Sequence, residues 1–351
     1  MIRGGSPDDV RMISTAALDP EDVRLVLALA DAAGASDGVP PLSEQVLLDL
    51  RNGGPAGTRH LIARSARDTV AGYAHLDLAG GRDAFAAELV VHPMQRRRGI
   101  GRALVDAVLG AARAAGPDGT ADTADTAGTT GTTDPSGPDG VTGTTGGLDI
   151  WAHGDHPSAA ALGLDLGFRR ERVLWQLRYR MTGPLTEPAL PDGVILRPFV
   201  PGSDEAAWLA VNARAFASHP EQGRWTAADL AARMAEPWFD PAGFLLAVAE
   251  SDGRLLGFHW TKVHPPAIDR GEPLGEVYVL GVDPDTHGLG LGRALTLAGL
   301  RHLRSRGLHR IMLYVDESNT PAMGLYARLG FGRWAGHVTY RIALDGRPDQ
   351  G

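Results

Sequence analysis

The chain has 351 residues, 43% of them apolar and 22% charged, and a formal charge of -8; it is long enough for two folded domains and reads as a soluble protein. The negative balance, relieved only by the short basic cluster Arg96, Arg97 and Arg98, argues against whole-molecule attraction to nucleic acid or to an anionic membrane. With no cysteine, disulfides, thiolate metal sites and cysteine nucleophiles are excluded, and the lack of an apolar N-terminal signal or a run of about 20 apolar residues points to the cytoplasm.

In chain order, the first landmark is Glu88-Leu-Val-Val-His-Pro93 followed by Arg96-x-x-Gly99-x-Gly101-Arg102-Ala103-Leu104. Residues 116–147 then form a tract of Gly, Thr, Asp and Ala, too polar to offset its ordering entropy and read as a flexible insertion. Leu166-Gly167-Phe168 follows, and Pro and Gly residues between 184 and 193 mark a linker. The expected domains are therefore 1–183 and 194–351.

After the linker, Val194-Ile-Leu-Arg-Pro-Phe199 reads as a strand, and Thr226 with Asp229 as a helix start. Residues 244–249 and 255–260 flank a turn and suggest an antiparallel hairpin. A strand over 276–282 runs into Asp283-Pro284, a glycine-rich turn and a helix from Gly292 to about Arg306, closed by Gly307. A strand over 310–315 and a helix over 320–329 complete the pattern. The fold class is α+β, with a mostly antiparallel mixed sheet flanked by helices in each domain.

The second half repeats the first. Val279-Leu-Gly-Val-Asp-Pro284 and His287-x-x-Gly290-x-Gly292-Arg293-Ala294-Leu295 match the earlier segment at a constant offset of 191 residues, and Leu329-Gly330-Phe331 answers Leu166-Gly167-Phe168 at 163. The insertion accounts for the difference. Duplication matters because a strand, a glycine turn and a helix start are suited to a pyrophosphate: the backbone approaches closely and free N–H groups point at the oxygens.

With these flanks, both halves resemble the GCN5-related N-acetyltransferase (GNAT) family, whose hallmark is Gln/Arg-x-x-Gly-x-Gly/Ala after a central strand. The resemblance implies acetyl-CoA as donor and no metal. By analogy, Leu89, Val90, Val91, Leu280, Gly281 and Val282 offer backbone groups to the pantetheine arm. The turns Arg97, Arg98, Gly99, Ile100, Gly101, Arg102 and His287, Gly288, Leu289, Gly290, Leu291, Gly292, Arg293 hold the pyrophosphate. His287 replaces the usual Gln or Arg, so backbone amides carry the second loop.

Glu276 stands in an apolar strand, on the alternating face shared with Tyr278, Leu280 and Val282, about 13 Å along the strand from Leu280. It is the candidate base, acting through water, and Tyr326, five residues before Phe331, is the candidate acid. A solvated strand-start carboxylate and an ordinary core tyrosine are the plainer alternatives. On the gap-free offsets Glu276 falls opposite Phe85 and Tyr326 opposite Gly163, which makes the second copy the catalytic one.

Longer passages, among them residues 37–46, 216–225, 257–265 and 275–284, resemble the mycothiol synthases, a family of tandem acetyltransferases acting on a cysteinyl amine. That resemblance implies Glu44, Glu221, Lys262, Glu276 and Tyr314 as contacts to a thiol-sugar acceptor and Asn319, Thr320, Pro321, Ala322, Met323 and Gly324 as contacts to acetyl-CoA. Surface carboxylates and snorkelling strand residues are the alternatives there. Two further readings stay open: an acetyltransferase for another amine, such as a protein N-terminus or an aminoglycoside, and a non-catalytic acyl-CoA sensor. The expected partners are small molecules, and two copies in one chain fit a monomer.

Overall fold

The structure is a computed structural model and describes residues 10–79, 84–115, 146–217, 219–264 and 272–344, without the side chains of residues 220 and 221. Most of the expected insertion, residues 116–145, lies outside the described residues. The chain divides into two compact units, residues 1–172 with 337–351, and residues 173–336. Neither unit is a contiguous half.

The first unit begins with β1 (Arg11–Thr15), α1 (Pro20–Asp37), α2 (Glu44–Asn52), β2 (Thr58–Arg64), β3 (Val70–Asp77) and β4 (Ala84–Val91). It continues through α3 (Ile100–Ala115), β5 (Gly147–His153) and α4 (Pro157–Asp165). The strand β6 (Arg169–Arg180) leads into the second unit, with β7 (Val194–Pro198), α5 (Glu205–Ala215), α6 (Pro220–Gly223), α7 (Ala227–Met234), β8 (Phe244–Ala249), β9 (Leu255–His264) and β10 (Leu274–Val282). After these come α8 (Leu291–Ser305), β11 (Arg310–Asp316), α9 (Thr320–Arg328) and β12 (Gly332–Ala343).

Strand order is β1-β2-β3-β4-β5-β12 in the first unit and β6-β11-β10-β9-β8-β7 in the second. Parallel pairing occurs between β4 and β5 and between β10 and β11. Such a pair needs a long crossover, which α3 and α8 supply. The last strand of each sequence copy is exchanged: β6 pairs with β11 from Arg180↔Arg310 to Leu174↔Asp316, and β12 pairs with β5 from His337↔His153 to Ala343↔Gly147. The boundaries 1–183 and 194–351 follow the duplication, whereas compactness follows the exchange.

Each sheet buries both faces. In the first unit α1 and α2 pack Val26, Leu29 and Val46 against Ile62, Tyr73 and Val90. In the second, α8 sets Leu300 and Leu303 against Val277 and Ile311, while the opposite face carries an aromatic core of Phe199, Trp208, Phe244, Phe258 and Trp260. Stacked and edge-on ring pairs at 4.4–5.6 Å hold that core together. The expected hairpin is present, paired from Phe244↔Trp260 to Ala247↔Gly257 and, after a one-residue shift, at Val248↔Leu255. Gly307 closes α8 with φ 79°, as only glycine does without strain.

The segment after β6 is fastened to the second unit, since Arg304 and Arg301 donate to the Gly183 and Leu185 carbonyls. A fragment of residues 194–351 lacks β6 and leaves most of β12 without its partner. We expect that fragment to lose cooperative unfolding and a fragment of residues 173–336 to retain it, with thermal circular dichroism of both as the measurement. Equal cooperativity would contradict the exchange.

Candidate active site

The turn after β10 is built by local chemistry. Asp283 is fully buried and caps the short helix over 284–286 by accepting from the Asp285 amide. Burial alone would raise its carboxyl, but the hydrogen bond from Arg214 holds it below the usual range. The chain then turns with Gly288 at φ 85° and Gly290 at φ 78°, and the first copy repeats the shape with Arg97 at φ 65° and Gly99 at φ 82°. A left-handed arginine costs about 1–2 kcal/mol, so the first copy keeps this conformation against its own preference.

Residues 287–290 are exposed, and a Cβ on Gly288 or Gly290 would meet no atom within 4 Å. The turn is thus an open cradle, with the unpaired first N–H groups of α8 aimed into it. An anionic pyrophosphate fits it. In the first unit, Arg96 instead makes two 2.7 Å hydrogen bonds to Asp37 and donates to the Val91 carbonyl. Arg102 pairs with Asp165, leaving Arg97 and Arg98 exposed at the turn.

The strand leading to the turn corrects the expected alternation. β10 pairs with β9 as Glu276↔Lys262 and Val277↔Thr261, then as Val279↔Trp260 and Leu280↔His259. Tyr278 is the extra residue of a β-bulge. Because side chains alternate with period two, one added residue reverses every facing beyond it. Tyr278 and Val279 pack with the aromatic core, whereas Leu280 and Val282 pack with Leu291 and Leu295 of α8. Glu276 and Tyr278 do not share a face with Leu280 and Val282.

The bulge also shifts the comparison between copies. β4 pairs with β3 from Asp77↔Ala86 to Gly72↔Val91 with no bulge. Counting from the shared turn, Glu276 therefore stands opposite Ala86 in space, not Phe85, and Glu88 matches Val279. β10 pairs with β11 only through Gly275, Glu276 and Val277, although the strand continues to Val282. The two parallel strands part at the bulge.

On the face thus defined, Glu276 is 4% exposed, and its Oε2 lies 2.6 Å from Nε2 of His264, itself buried. Lys262 is also buried, its ammonium 4.4 Å from the centre of the Trp238 ring and 4.9 Å from that of Tyr278. The Arg233 guanidinium lies 3.8 Å from the centre of the Trp225 ring, and its Nε donates to the Tyr278 hydroxyl at 2.8 Å. The expected cap at Thr226 and Asp229 is a full capping box that starts α7 and so sets where Arg233 projects.

Tyr314 stands on the β11 face shared with Met312, the register partner of Glu276. Its hydroxyl accepts from Gln176 on the exchanged strand β6 at 2.8 Å. Below it, Asp316 accepts from the Ser318 amide and hydroxyl, and Glu317 accepts from Trp175. Both acids therefore fasten the loop before α9. Asn319 caps that helix through the Ala322 amide, at the head of residues 319–324. Tyr326 is buried against Phe331 at 5.6 Å between ring centres, and burial pushes its phenol up to about 12.

Two further expected acceptor contacts are carried by helices. Glu44 opens α2 in the first unit, beside Ser43, whose amide donates to Glu88 at 2.6 Å. The backbone of Glu221 lies in α6, held by reciprocal bonds between Asn212 and Gln222; its side chain is outside the described residues. Sequence reasoning missed His264, Arg233, Trp238 and Gln176. A polar residue two places from Lys262 in an apolar strand was the one available signal for His264.

A buried carboxylate, a neutral phenol and an anion cradle are the groups that acyl transfer from a thioester to an amine requires. The acetyltransferase (GNAT) family model matches residues 30–126 and 208–331. The chain belongs to the GNAT family. Within that family, a mycothiol acetyltransferase of Salinispora tropica is 54% identical over 96% of this chain and 98% of its own length. Another, from Thermobispora bispora, is 53% identical over 92% and 96%. The chain is thus a GNAT acetyltransferase of the mycothiol acetyltransferase group.

Among solved structures, a tandem GNAT protein of the clavulanic acid pathway superposes with a TM-score of 0.68 at 22% identity, over 97% of this chain and all of that one. A GNAT protein of Sphaerobacter thermophilus gives 0.66 at 24% identity, over 96% and 97%. These likenesses concern the fold. Among the described residues no helix is long and apolar enough to cross a membrane, and no group of three His, Asp or Glu side chains is placed to hold a metal ion.

Tyr326→Phe removes one hydroxyl and keeps the ring against Phe331. If the phenol serves acetyl transfer, kcat falls about 10–100-fold, with a stability change near 1 kcal/mol. Steady-state kinetics beside urea unfolding checks this; unchanged kcat would remove Tyr326 from the reaction.

Proposed function

We propose that the second copy transfers the acetyl group of acetyl-CoA to the cysteinyl amine of 1D-myo-inositol 2-(L-cysteinylamino)-2-deoxy-glucopyranoside, the step that completes mycothiol. The observation that carries the reading is the buried Glu276 on the sheet face beside the point where β10 parts from β11. An α-amine has an ordinary pKa of about 8 and is mostly protonated at pH 7, so attack on a thioester needs a base. One proton of the ammonium leaves through water to solvent. The amine nitrogen then bonds to the acetyl carbon, Glu276 takes the second proton through water as that bond forms, the carbon–sulfur bond breaks, and the phenol of Tyr326 donates a hydrogen bond to the leaving thiolate.

In this reading Glu221, Lys262 and Tyr314 hold the acceptor, whose hydroxyls and amine call for carboxylates and hydrogen-bonding groups. Residues 280–282, 287–293 and 319–324 hold the donor in the second copy. Residues 89–91 and 97–102 keep the corresponding cradle in the first, where Ala86 and Gly163 stand in place of base and phenol. The Tyr340 ring lies 3.3 Å from where a Cβ of Gly163 would be, so a side chain at that position would press on that ring. A base and a phenol in the second copy argue against a pure acyl-CoA sensor.

Purified protein with acetyl-CoA is expected to acetylate the cysteinyl-glucosaminyl-inositol acceptor far faster than peptide or aminoglycoside controls. Glu276→Gln should keep acetyl-CoA binding and lose about 100-fold or more in turnover near pH 7. No turnover on the first acceptor would sink the assignment, and full activity of the variant would remove Glu276 as base.

A further inference from the structure

The carboxylate of Glu276 accepts a hydrogen bond from an imidazole. His264 ends β9 and Glu276 lies two residues into β10, on diagonal positions of one sheet face: His264 pairs in register with Leu274, and Glu276 with Lys262. Diagonal neighbours are within reach of long side chains, and the 2.6 Å separation between Nε2 and Oε2 is that of a charge-assisted hydrogen bond. Both side chains are buried, at 9% and 4% exposure.

A glutamate has three rotatable side-chain bonds, and a base that works through one ordered water must hold its lone pair in a fixed direction. We propose that His264 is a positioning residue for acetyl transfer. Its Nε2–H holds Oε2 of Glu276, so that Oε1 is the oxygen that receives the proton leaving the acceptor amine through water. No bond to His264 forms or breaks, and the proton rests on Glu276 until solvent takes it.

This inference rests on the catalytic role assigned to Glu276 above. Other charged or titratable groups on the elements around this face are Lys262 on β9, Tyr278 on β10, Arg233 on α7, Glu236 just after α7, and Arg310 and Tyr314 on β11. All of them are retained when only His264 is changed. His264→Leu removes the donor at similar volume, whereas His264→Gln keeps an N–H that reaches about as far and His264→Asn one that falls short.

The test is steady-state kinetics of the full-length chain with acetyl-CoA and the cysteinyl acceptor. His264→Leu should lower kcat about 10–100-fold and leave KM for acetyl-CoA within twofold, and His264→Gln should recover most of the lost kcat. Wild-type kcat in His264→Leu overturns the proposal, as does an equal loss in the Leu and Gln variants. If His264→Leu does not fold, the Gln and Asn variants decide: equal rates in those two overturn it. A wild-type chain inactive on this acceptor but active on another amine refutes the acceptor alone, and the variants are then compared on that amine.

Discussion

One extra residue in β10 governs the second unit. The bulge at Tyr278 turns Glu276 and Tyr278 toward the aromatic face and Leu280 and Val282 toward α8, so a single strand serves the acid–base face before the bulge and the helix core after it. It also ends the pairing with β11 at Val277. Beyond that point β10 runs on to the anion cradle with one edge that β11 does not use. The first unit has the same strands, crossover and turn, but β4 has no bulge and stays paired with β5 through Glu88. The two copies therefore differ in where a strand is released from its neighbour as well as in residue type.

Both units bury a carboxylate on the corresponding face, and the partners differ. Glu88 accepts from the first amide of the Ser43 cap and lies 3.3 Å from His153. Burial would raise its carboxyl, and the neighbouring His153 and Ser43 bring it below the usual range. It is tied into the fold of its own unit, with a helix start aimed at it. Glu276 has an imidazole partner on a neighbouring strand and a wall of Trp238, Tyr278 and Trp225 that engages Lys262 and Arg233. Aromatic rings can hold cations without neutralising them, so the two cations keep their charge on the face that carries the carboxylate.

What could be read from the sequence was what is written locally. Helix α8, its glycine stop, the β8–β9 hairpin and the α7 cap follow from residues within a few places of one another, and the repeat located both glycine turns. The exchange of β6 and β12 could not be read, because two final strands of one duplicated pattern have similar hydropathy and nothing local says which β5 or β11 each will join. The bulge was hidden because Val277, Tyr278 and Val279 are all apolar, so a reversal of facing leaves no break in the pattern. The pair of His264 and Glu276 was missed for a related reason: the two are far apart along the chain and meet only through the register of two strands.

The same burial that protects Tyr326 also limits what it does. A phenol at about 12 is roughly three units less acidic than an ordinary thiol near 8.5, so complete transfer of its proton to a leaving thiolate is uphill by about 5 kcal/mol. A short hydrogen bond to the developing negative charge carries no such penalty, and in a dry site it is worth more than in water. In the proposed reaction Tyr326 is thus a fixed donor that stabilises the thiolate and not an acid that empties itself. The same arithmetic applies to the amine: handing the proton of a free ammonium at about 8 to an ordinary carboxylate at about 4 is also uphill, so a carboxylate base serves best once the new carbon–nitrogen bond has drawn charge from the nitrogen and made its proton acidic. Burial keeps the phenol protonated across the working pH range, and the proposed base takes its proton late, as the bond to carbon forms.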